Sequence, residues 1–421
     1  MEKINSLTGM SDLIGEKNKD SNQSDKIFQV EKKLVEIFEN YSLQEIRTPA
    51  LESEKLFNRS VGDSSDIVNK ELYTFKDKNE KSISLRPEGT AGVVRSIIEK
   101  KLDNENHRFW YLGPMWRYER PQKGRYRQFY QAGVELLGYE EGLSELEMIS
   151  MVISINLELN INNSIIKINH LGDKETKEKF CKSLKKYLEP HTPNLDKKDI
   201  DRLNKNPLRI LDSKNTDTQN ILEKAPKISD FISDEASNLL NTIQNTYPDN
   251  KIEIDHSLVR GLDYYTGFVF EAISENLGAQ DSYLGGGRYD QLFEDLGGKS
   301  LPAIGMAIGI ERLSYIANNE HLESTLVSFI ILSDKIEEKA YKIAHNLRSC
   351  NKKLIIEVQL SGGSLKSRLR RANKDNATFA IIIGKDELDS DTVILKSLKE
   401  ENSNQKQLTI DELEDFLKSI D

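Results

Sequence analysis

One stretch, from Gly113 to Glu135, constrains this chain more than any other: GPMWRYERPQKGRYRQFYQAGVE. Two runs with strand-like alternation flank a polar, cationic connection, which predicts a long antiparallel hairpin. At a period of two, Arg117 and Glu119 share a face of the first strand, and Gln131, Gly133 and Glu135 share a face of the second. That face is polar where an ordinary hairpin would be apolar. Between the strands stand Arg120, Lys123, Arg125 and Arg127, with no carboxylate from Arg120 to Phe129 to neutralise them. A triphosphate or a nucleic-acid backbone is the complement such a tip predicts.

A chain of 421 residues is too long for one ordinary core and predicts two or three domains. Its 37% hydrophobic and 30% charged content is that of a globular protein rather than a disordered one. A net charge of −10 excludes a surface that binds nucleic acid throughout, and directs attention to local basic sites on an acidic body. The two cysteines, Cys181 and Cys350, lie far apart in polar surroundings, so they build neither a disulfide framework nor a zinc site and predict a reducing compartment. The opening MEKINSLTGMSDLIGEKNKDSNQSD has no apolar core of signal-peptide length, and no stretch approaches the length that spans a bilayer; a cytoplasmic protein is expected.

Along the chain, Ile27, Val30, Leu34, Ile37, Phe38 and Tyr41 recur at helical spacing. The next segment, Glu45-Ile46-Arg47-Thr48-Pro49, reads as a strand whose proline blocks one ladder position, suited to an edge, a subunit contact or an internal strand. A charged hairpin turn follows at Asp77 to Glu80, then a strand with Ile83 and Leu85, then Pro87-Glu88-Gly89-Thr90 leading into a helix. The plain reading of Glu88 is an acid at a helix N-terminus. After the central hairpin, SELEMISMVISINLELN carries the stripe Leu146, Ile149, Val152 and Ile153. Helices and antiparallel strands mix without βαβ alternation, which predicts an α+β fold.

From about residue 173 to 250, lysine, asparagine and aspartate dominate and Pro190, Pro193, Pro207 and Pro226 punctuate, predicting a helical insertion. Beyond it, Arg260-Gly261-Leu262-Asp263-Tyr264-Tyr265-Thr266-Gly267 places paired tyrosines beside an arginine between two strand-like runs. Gly285-Gly286-Gly287 lacks the spacing and the lysine of a phosphate loop; in strand context the three glycines predict close approach of backbone to a flat ligand. A small-residue strand then runs into a helix opening near Gly309-Ile310-Glu311-Arg312. An arginine in a first helical turn opposes the macrodipole unless an anion binds there, which makes Arg312 a candidate phosphate ligand. The last segment, 326–421, holds four strand-like runs between helical ones and equal numbers of basic and acidic residues, predicting an α/β domain. On a helix begun at Ser364, Leu365, Leu369 and Ala372 face inward while Lys366, Arg370 and Lys374 share an outer face, either a solvated face or an anion-binding one.

Together these motifs resemble the class II aminoacyl-tRNA synthetases, and within them the bacterial histidyl-tRNA synthetases, over nearly the whole chain. The first helix with EIRTPALE resembles motif 1, the dimer interface; WRYERPQKGRYRQFYQAGVE resembles motif 2 and GIERL motif 3, while LRPEGT and LVRGLDYYTG resemble the histidine-specific segments. The resemblance implies an antiparallel-sheet catalytic domain over residues 1–325 with the helical insertion at 173–250, an anticodon-binding domain over 326–421, and a homodimer. It implies ATP-dependent ligation of L-histidine to its cognate tRNA through a histidyl-adenylate, releasing AMP and diphosphate, with Mg²⁺ accompanying ATP and no metal held by the protein.

Residue by residue, the resemblance places Arg117 on the α-phosphate, Glu119 near the adenine amino group and Arg312 on the terminal phosphates. Glu88 and Thr90 would hold the α-amino group, with Gln131 beside the amino acid. Glu135 and Tyr264 would read the imidazole nitrogens, and Tyr265 and Tyr289 would line the pocket. Arg260 would face the α-phosphate opposite Arg117 and stabilise charge during attack by the histidine carboxylate. Arg120, Lys123, Arg125 and Arg127 would approach the tRNA acceptor end, the insertion its stem, and Lys366, Arg370 and Lys374 the anticodon arm. One departure is Thr8, which stands before Gly9-Met10-Ser11-Asp12 where the family usually has a basic residue. The alternative is a non-catalytic, histidine-sensing regulatory paralogue of ATP phosphoribosyltransferase, whose members typically lose the motif arginines and the final domain; a synthetase for threonine, proline or glycine is a third.

Overall fold

The computed structural model describes residues 3–15, 23–62, 65, 67–122, 124–278, 281–318, 325–332, 336–351, 354–399 and 405–420. The described residues within 1–13 and 23–319 form one compact unit, and those within 14–22 and 320–421 form another.

The first unit opens with the helix Gln23–Asn40, whose Ile27, Val30, Leu34, Ile37 and Phe38 are buried. Tyr41, just past its end, hydrogen-bonds Ser150 and Ser154 at 2.9 and 2.8 Å. The strand expected from Glu45 to Pro49 is shorter: only β1, Gln44–Glu45, pairs. Beyond it the Ile46 amide still reaches the Trp110 carbonyl, but the Thr48 carbonyl is taken by the Arg86 guanidinium at 2.9 Å and Pro49 has no N–H to offer, so the ladder stops. Strands β2 (Leu51–Ser53), β3 (Thr74–Lys76) and β4 (Ser82–Leu85) make a small antiparallel sheet in the order β2-β4-β3.

The long hairpin is β5 (His107–Trp116) and β6 (Gln128–Leu137), paired from His107↔Leu137 to Trp116↔Gln128. It begins well before Gly113, and its first strand ends at Trp116, so Arg117 and Glu119 lie in the connection and not on a strand face. Two backbone bonds account for the early end: the Tyr118 amide donates to the Glu71 carbonyl, and the Glu119 amide turns back to the Arg117 carbonyl. After β7 (Ser164–His170) come the helices Lys174–Leu188, Lys197–Lys205, Thr216–Leu222 and Asp234–Thr246. Asp173, Asp196, Asn215 and Ser233 cap their N-termini through side-chain oxygens. The first of these helices packs Phe180, Leu184 and Leu188 on Leu195, Leu203 and Ile210 in a core separate from that of the sheet.

Strands β8 (Ile252–Ile254), β9 (Phe268–Ser274), β10 (Ser282–Arg288) and β11 (Ala303–Gly309) complete an eight-stranded sheet in the order β1-β5-β6-β11-β10-β9-β7-β8. It is antiparallel except at its ends, β1/β5 and β7/β8. The β6–β11 pairing sets Gln131 opposite Gly309 and Leu137 opposite Ala303. Period-two alternation divides β6 between two environments. Ala132, Val134 and Leu136 join the main core under the helices Gln23–Asn40, Leu143–Glu158 and Ile310–Ile316, and each large side chain buried there contributes about 1.5–3 kcal/mol. Gln131, Gly133 and Glu135 face the other way, where the site lies.

The second unit holds β12 (Thr325–Ile331), β13 (Leu354–Val358), β14 (Phe379–Ile383), β15 (Thr392–Ser397) and β16 (Gln405–Thr409), in the order β13-β12-β14-β15-β16. The first three are parallel and the last two antiparallel. Its helix Leu365–Lys374 is capped by Ser364, with Leu365 and Leu369 packed against Ile330 and Ile382. Lys366, Arg370 and Lys374 are exposed. Both units conform to the α+β and α/β classes expected. No helix among the described residues is long and apolar enough to cross a membrane.

Candidate active site

Glu135, on β6, is wholly buried. Its Oε1 accepts the Thr90 hydroxyl at 2.7 Å, and its Oε2 accepts the Tyr289 hydroxyl. Burial outweighs both bonds and pushes its pKa up to about 8. A Cβ on Gly305, the residue facing Glu135 on β11, would overlap Oε2; glycine there is what admits the carboxylate. Glu88 accepts the backbone amides of Thr90 and Ala91 at 2.7 and 2.9 Å, so it does serve the N-terminus of the helix Thr90–Glu99; burial raises its pKa as well. Tyr264 sits 4.7 Å from Tyr265 and 5.7 Å from Tyr289, ring centre to ring centre. Buried in the same cavity as Tyr264 and Tyr265, Gln131 Oε1 has no hydrogen-bond partner among the described residues. A buried acceptor left in this way is costly and marks a place for a ligand's donor.

A cavity of about 240 Å³ is lined, among others, by the buried Glu88, Thr90, Gln131, Tyr264 and Tyr265, its polar floor, and by the half-buried Arg117, Glu119, Arg125, Arg260 and Arg312. Glu135 and Tyr289 are not part of its lining; Glu135 is bonded to the lining residue Thr90, and Tyr289 to Glu135. Arg117 donates through Nε to the Pro87 carbonyl at 2.9 Å and lies 5.3 Å from the Phe129 ring centre. Arg312, in the helix Ile310–Ile316, holds the Gly124 carbonyl at 3.0 Å and the Ser282 carbonyl at 2.7 Å. Burial, followed by the charge of Arg125, lowers its pKa. Burial also works against the charge of Arg260, but Glu271 at 2.6 Å more than restores it and the pKa is raised. So many guanidiniums around one cavity make an anion-binding surface.

The tip of the hairpin does not present its cations as one group. Gly124 takes φ 74°, Gln122 bridges to Arg125, and the chain folds back so that Arg125 reaches Glu119 at 3.1 Å inside the cavity. The local lack of carboxylates read from the tip is thus made good by Glu119. Arg127 turns instead onto the Tyr118 ring, 3.8 Å from its centre, while its amide donates to the Gly9 carbonyl. Arg120 is exposed, and Lys123 lies outside the described residues. Thr8, next to Gly9, is exposed.

The three glycines of β10 have a different use from the one expected. A Cβ on Gly285 would meet the Arg260 guanidinium, one on Gly286 the Gly305 carbonyl, and one on Gly287 the Phe268 carbonyl. Their space is filled by the protein's own groups. Two site residues escaped the sequence reading. Glu271, the partner of Arg260, is a single charge in the apolar run FVFEAIS, and that isolation was the available signal. Glu311 accepts the Tyr130 amide at 2.8 Å and is pushed up to about 7 by burial; a charged first helical turn gave no hint of it.

Comparison with known proteins bears on this geometry. The histidyl-tRNA synthetase family model matches residues 15–313, and the anticodon-binding domain model residues 326–420. The histidine–tRNA ligase of Francisella philomiragia is 42% identical over 432 aligned residues, spanning 100% of both chains. That of Prochlorococcus marinus is 41% identical over 411 residues, covering 96% of this chain and 95% of its own. The crystal structure of apo histidyl-tRNA synthetase from S. aureus superposes with a TM-score of 0.78 at 31% identity, over 99% of this chain and 100% of that one.

Proposed function

The chain belongs to the histidyl-tRNA synthetase family and joins histidine to tRNA in an ATP-dependent reaction; we propose that the cavity between β6, β10 and the 260–265 loop is where it does so. The observation that carries this reading is the division of one cavity into a buried polar floor and a ring of guanidiniums. Glu88 and Thr90 receive the α-ammonium group, and Gln131 Oε1 takes a donor of the bound amino acid. Glu135 and Tyr264 read the imidazole: a ring N–H replaces the Thr90 hydroxyl on Glu135 Oε1 as histidine enters, with Tyr265 as a wall and Tyr289, outside the lining, holding Glu135 Oε2. A site that hydrogen-bonds both ring nitrogens rejects side chains lacking them by about four to five orders of magnitude, because its own buried groups are left unpaired.

ATP enters with Mg²⁺ as part of the substrate. Glu119 meets the adenine amino group, and Arg312, joined by Arg125, holds the terminal phosphates. Arg117 and Arg260 flank the α-phosphate. The histidine carboxylate attacks α-phosphorus in line, diphosphate leaves, and the terminal adenosine hydroxyl of tRNA then displaces AMP from the adenylate. Positioning and charge neutralisation do this work; no protein nucleophile is needed. We assign catalysis to residues 1–325 and anticodon binding to 326–421. We assign Arg120, Lys123 and Arg127 to the acceptor end of the tRNA, the insertion at 173–250 to its stem, and Lys366, Arg370 and Lys374 to the anticodon arm. The enzyme acts in the cytoplasm as a homodimer joined through the first helix and the segment after it. Gathered cavity arginines and a matched anticodon-binding domain leave the regulatory-paralogue alternative without support.

The test is ATP–diphosphate exchange driven by each amino acid in turn. Histidine alone should drive it, and Arg260→His should lower kcat about 100-fold or more while histidine binding by calorimetry persists. Exchange driven by another amino acid and not by histidine overturns the assignment; unchanged kcat removes Arg260 from the chemistry.

A further inference from the structure

The loop that carries Arg260, Tyr264 and Tyr265 has no helix or strand of its own between β8 and β9. Its shape is therefore set by whatever holds its backbone, and much of what holds it comes from the helical insertion. Lys177, on the helix Lys174–Leu188, donates through Nζ to the Tyr265 carbonyl at 2.9 Å. Asn206 donates through Nδ2 to Asp263 Oδ1 at 2.9 Å. Arg209 donates to the Gly261 carbonyl and places Nε 3.6 Å from Asp263 Oδ1. Val259, at the start of the loop, packs against the insertion's own core.

The two ends of the loop serve different parts of the cavity. Gly261 directly follows Arg260, the group beside Glu271. Tyr265 neighbours Tyr264 in the aromatic floor. Lys177 spends a largely buried ammonium on a carbonyl, with burial lowering its pKa and Cys181, then Asp263, offsetting that only in part. A cation placed so is expensive as a scaffold and informative as an anchor.

We propose that Lys177, Asn206 and Arg209 are positioning residues for histidine activation, through which the insertion fixes the loop: Lys177 sets the histidine-reading end and Arg209 the phosphate-facing end. None of the three lines the cavity. The inference rests on the histidine-activation reading of the cavity above, and it makes the insertion part of the small-molecule site as well as a candidate RNA contact.

Full-length Lys177→Met and Arg209→Met, each keeping an aliphatic stem and losing the donor, are compared with wild type in histidine-dependent ATP–diphosphate exchange. Lys177→Met is expected to raise the KM for histidine about 10-fold with the KM for ATP unmoved. Arg209→Met is expected to lower kcat about 10-fold with the KM for histidine nearly kept. Lys177→Arg and Arg209→Lys should restore most of each loss. Asn206→Asp, which sets a second carboxylate against Asp263, should perturb both parameters. Wild-type kinetics in both Met variants overturns the proposal, and so do losses that track melting temperature without a split between KM and kcat. Absence of histidine-dependent exchange in the wild type would instead sink the functional reading on which the inference rests.

Discussion

Both oxygens of Glu135 are held by hydroxyls, Thr90 on one and Tyr289 on the other, and the charge that bears on it is a second carboxylate, Glu88. Its pKa of about 8, and that of Glu311 near 7, lie above the 4.5 of an unburied glutamate. The folded protein therefore holds protons that the unfolded chain has released. The stability this contributes is fully present below the unfolded pKa and is lost as pH rises through 7 and 8. Between about pH 6 and about pH 9 the melting temperature should fall by about 5 °C, and Glu135→Gln should flatten that slope. A melting temperature that climbs over this interval contradicts the assignment. At this scale the motif residues of the floor and of the arginine ring were legible, since each is a charged or polar group in an unusual local pattern. Glu271 was not, because its meaning depends on a partner from another segment. The exclusion of Glu135 from the cavity lining was equally hidden, since only packing decides which of Thr90 and Glu135 lines it.

Two elements decide where cavity cations sit, the hairpin β5–β6, whose connection carries Arg117 and Arg125, and the strand β10, over which Arg260 of the preceding loop lies. For the hairpin, alternation gave the existence of the strands and the correct face of β6, but not the point where β5 ends. That point is decided by Glu71, a residue remote in sequence that captures the Tyr118 amide. The inward turn of Arg125 likewise follows from a left-handed Gly124, which a charge count along the tip does not register. For β10, the register places Gly285 beside Glu271, and Arg260 lies over the missing side chain. Gly285→Ala should leave the sheet intact, because the atoms its Cβ meets first are the far end of a flexible arginine. Its cost should fall on Arg260's placement: a kcat for adenylation about 10- to 100-fold lower, with melting within a few degrees of wild type. Melting that collapses with activity unchanged per folded molecule would show that the glycine serves the sheet instead.

For the whole molecule, the α+β class and the helical stretch between β7 and β8 were legible from composition and periodicity. The order of the sheet was not, since the joins β1/β5, β6/β11, β7/β9 and β7/β8 pair strands far apart in sequence. The fifth strand of the second unit, β16, reads QKQLT; polar and exposed, it lacks the alternation by which a strand is recognised. The basic face of the helix Leu365–Lys374 can be tested without disturbing the first unit. Replacing Lys366, Arg370 and Lys374 together by alanine should leave ATP–diphosphate exchange at wild-type level, raise the KM for tRNA about 10-fold or more, and reduce the salt dependence of tRNA binding by about two ions. Equal losses in exchange and aminoacylation would argue that the triple change unfolds the domain.

The pairing of β6 with β11 also sets a schedule. Gln131 leaves the ribosome long before Gly309, its partner across the strands. At a synthesis rate of about 5–20 residues per second, that gap lasts roughly ten seconds or more. Through that interval the inner edge of β6 is an unpaired strand beside an apolar face, the kind of template that attracts other chains. The nascent protein is thus most vulnerable to aggregation while the insertion is being made, and the amino-acid site comes into being late, only after β11 closes the sheet.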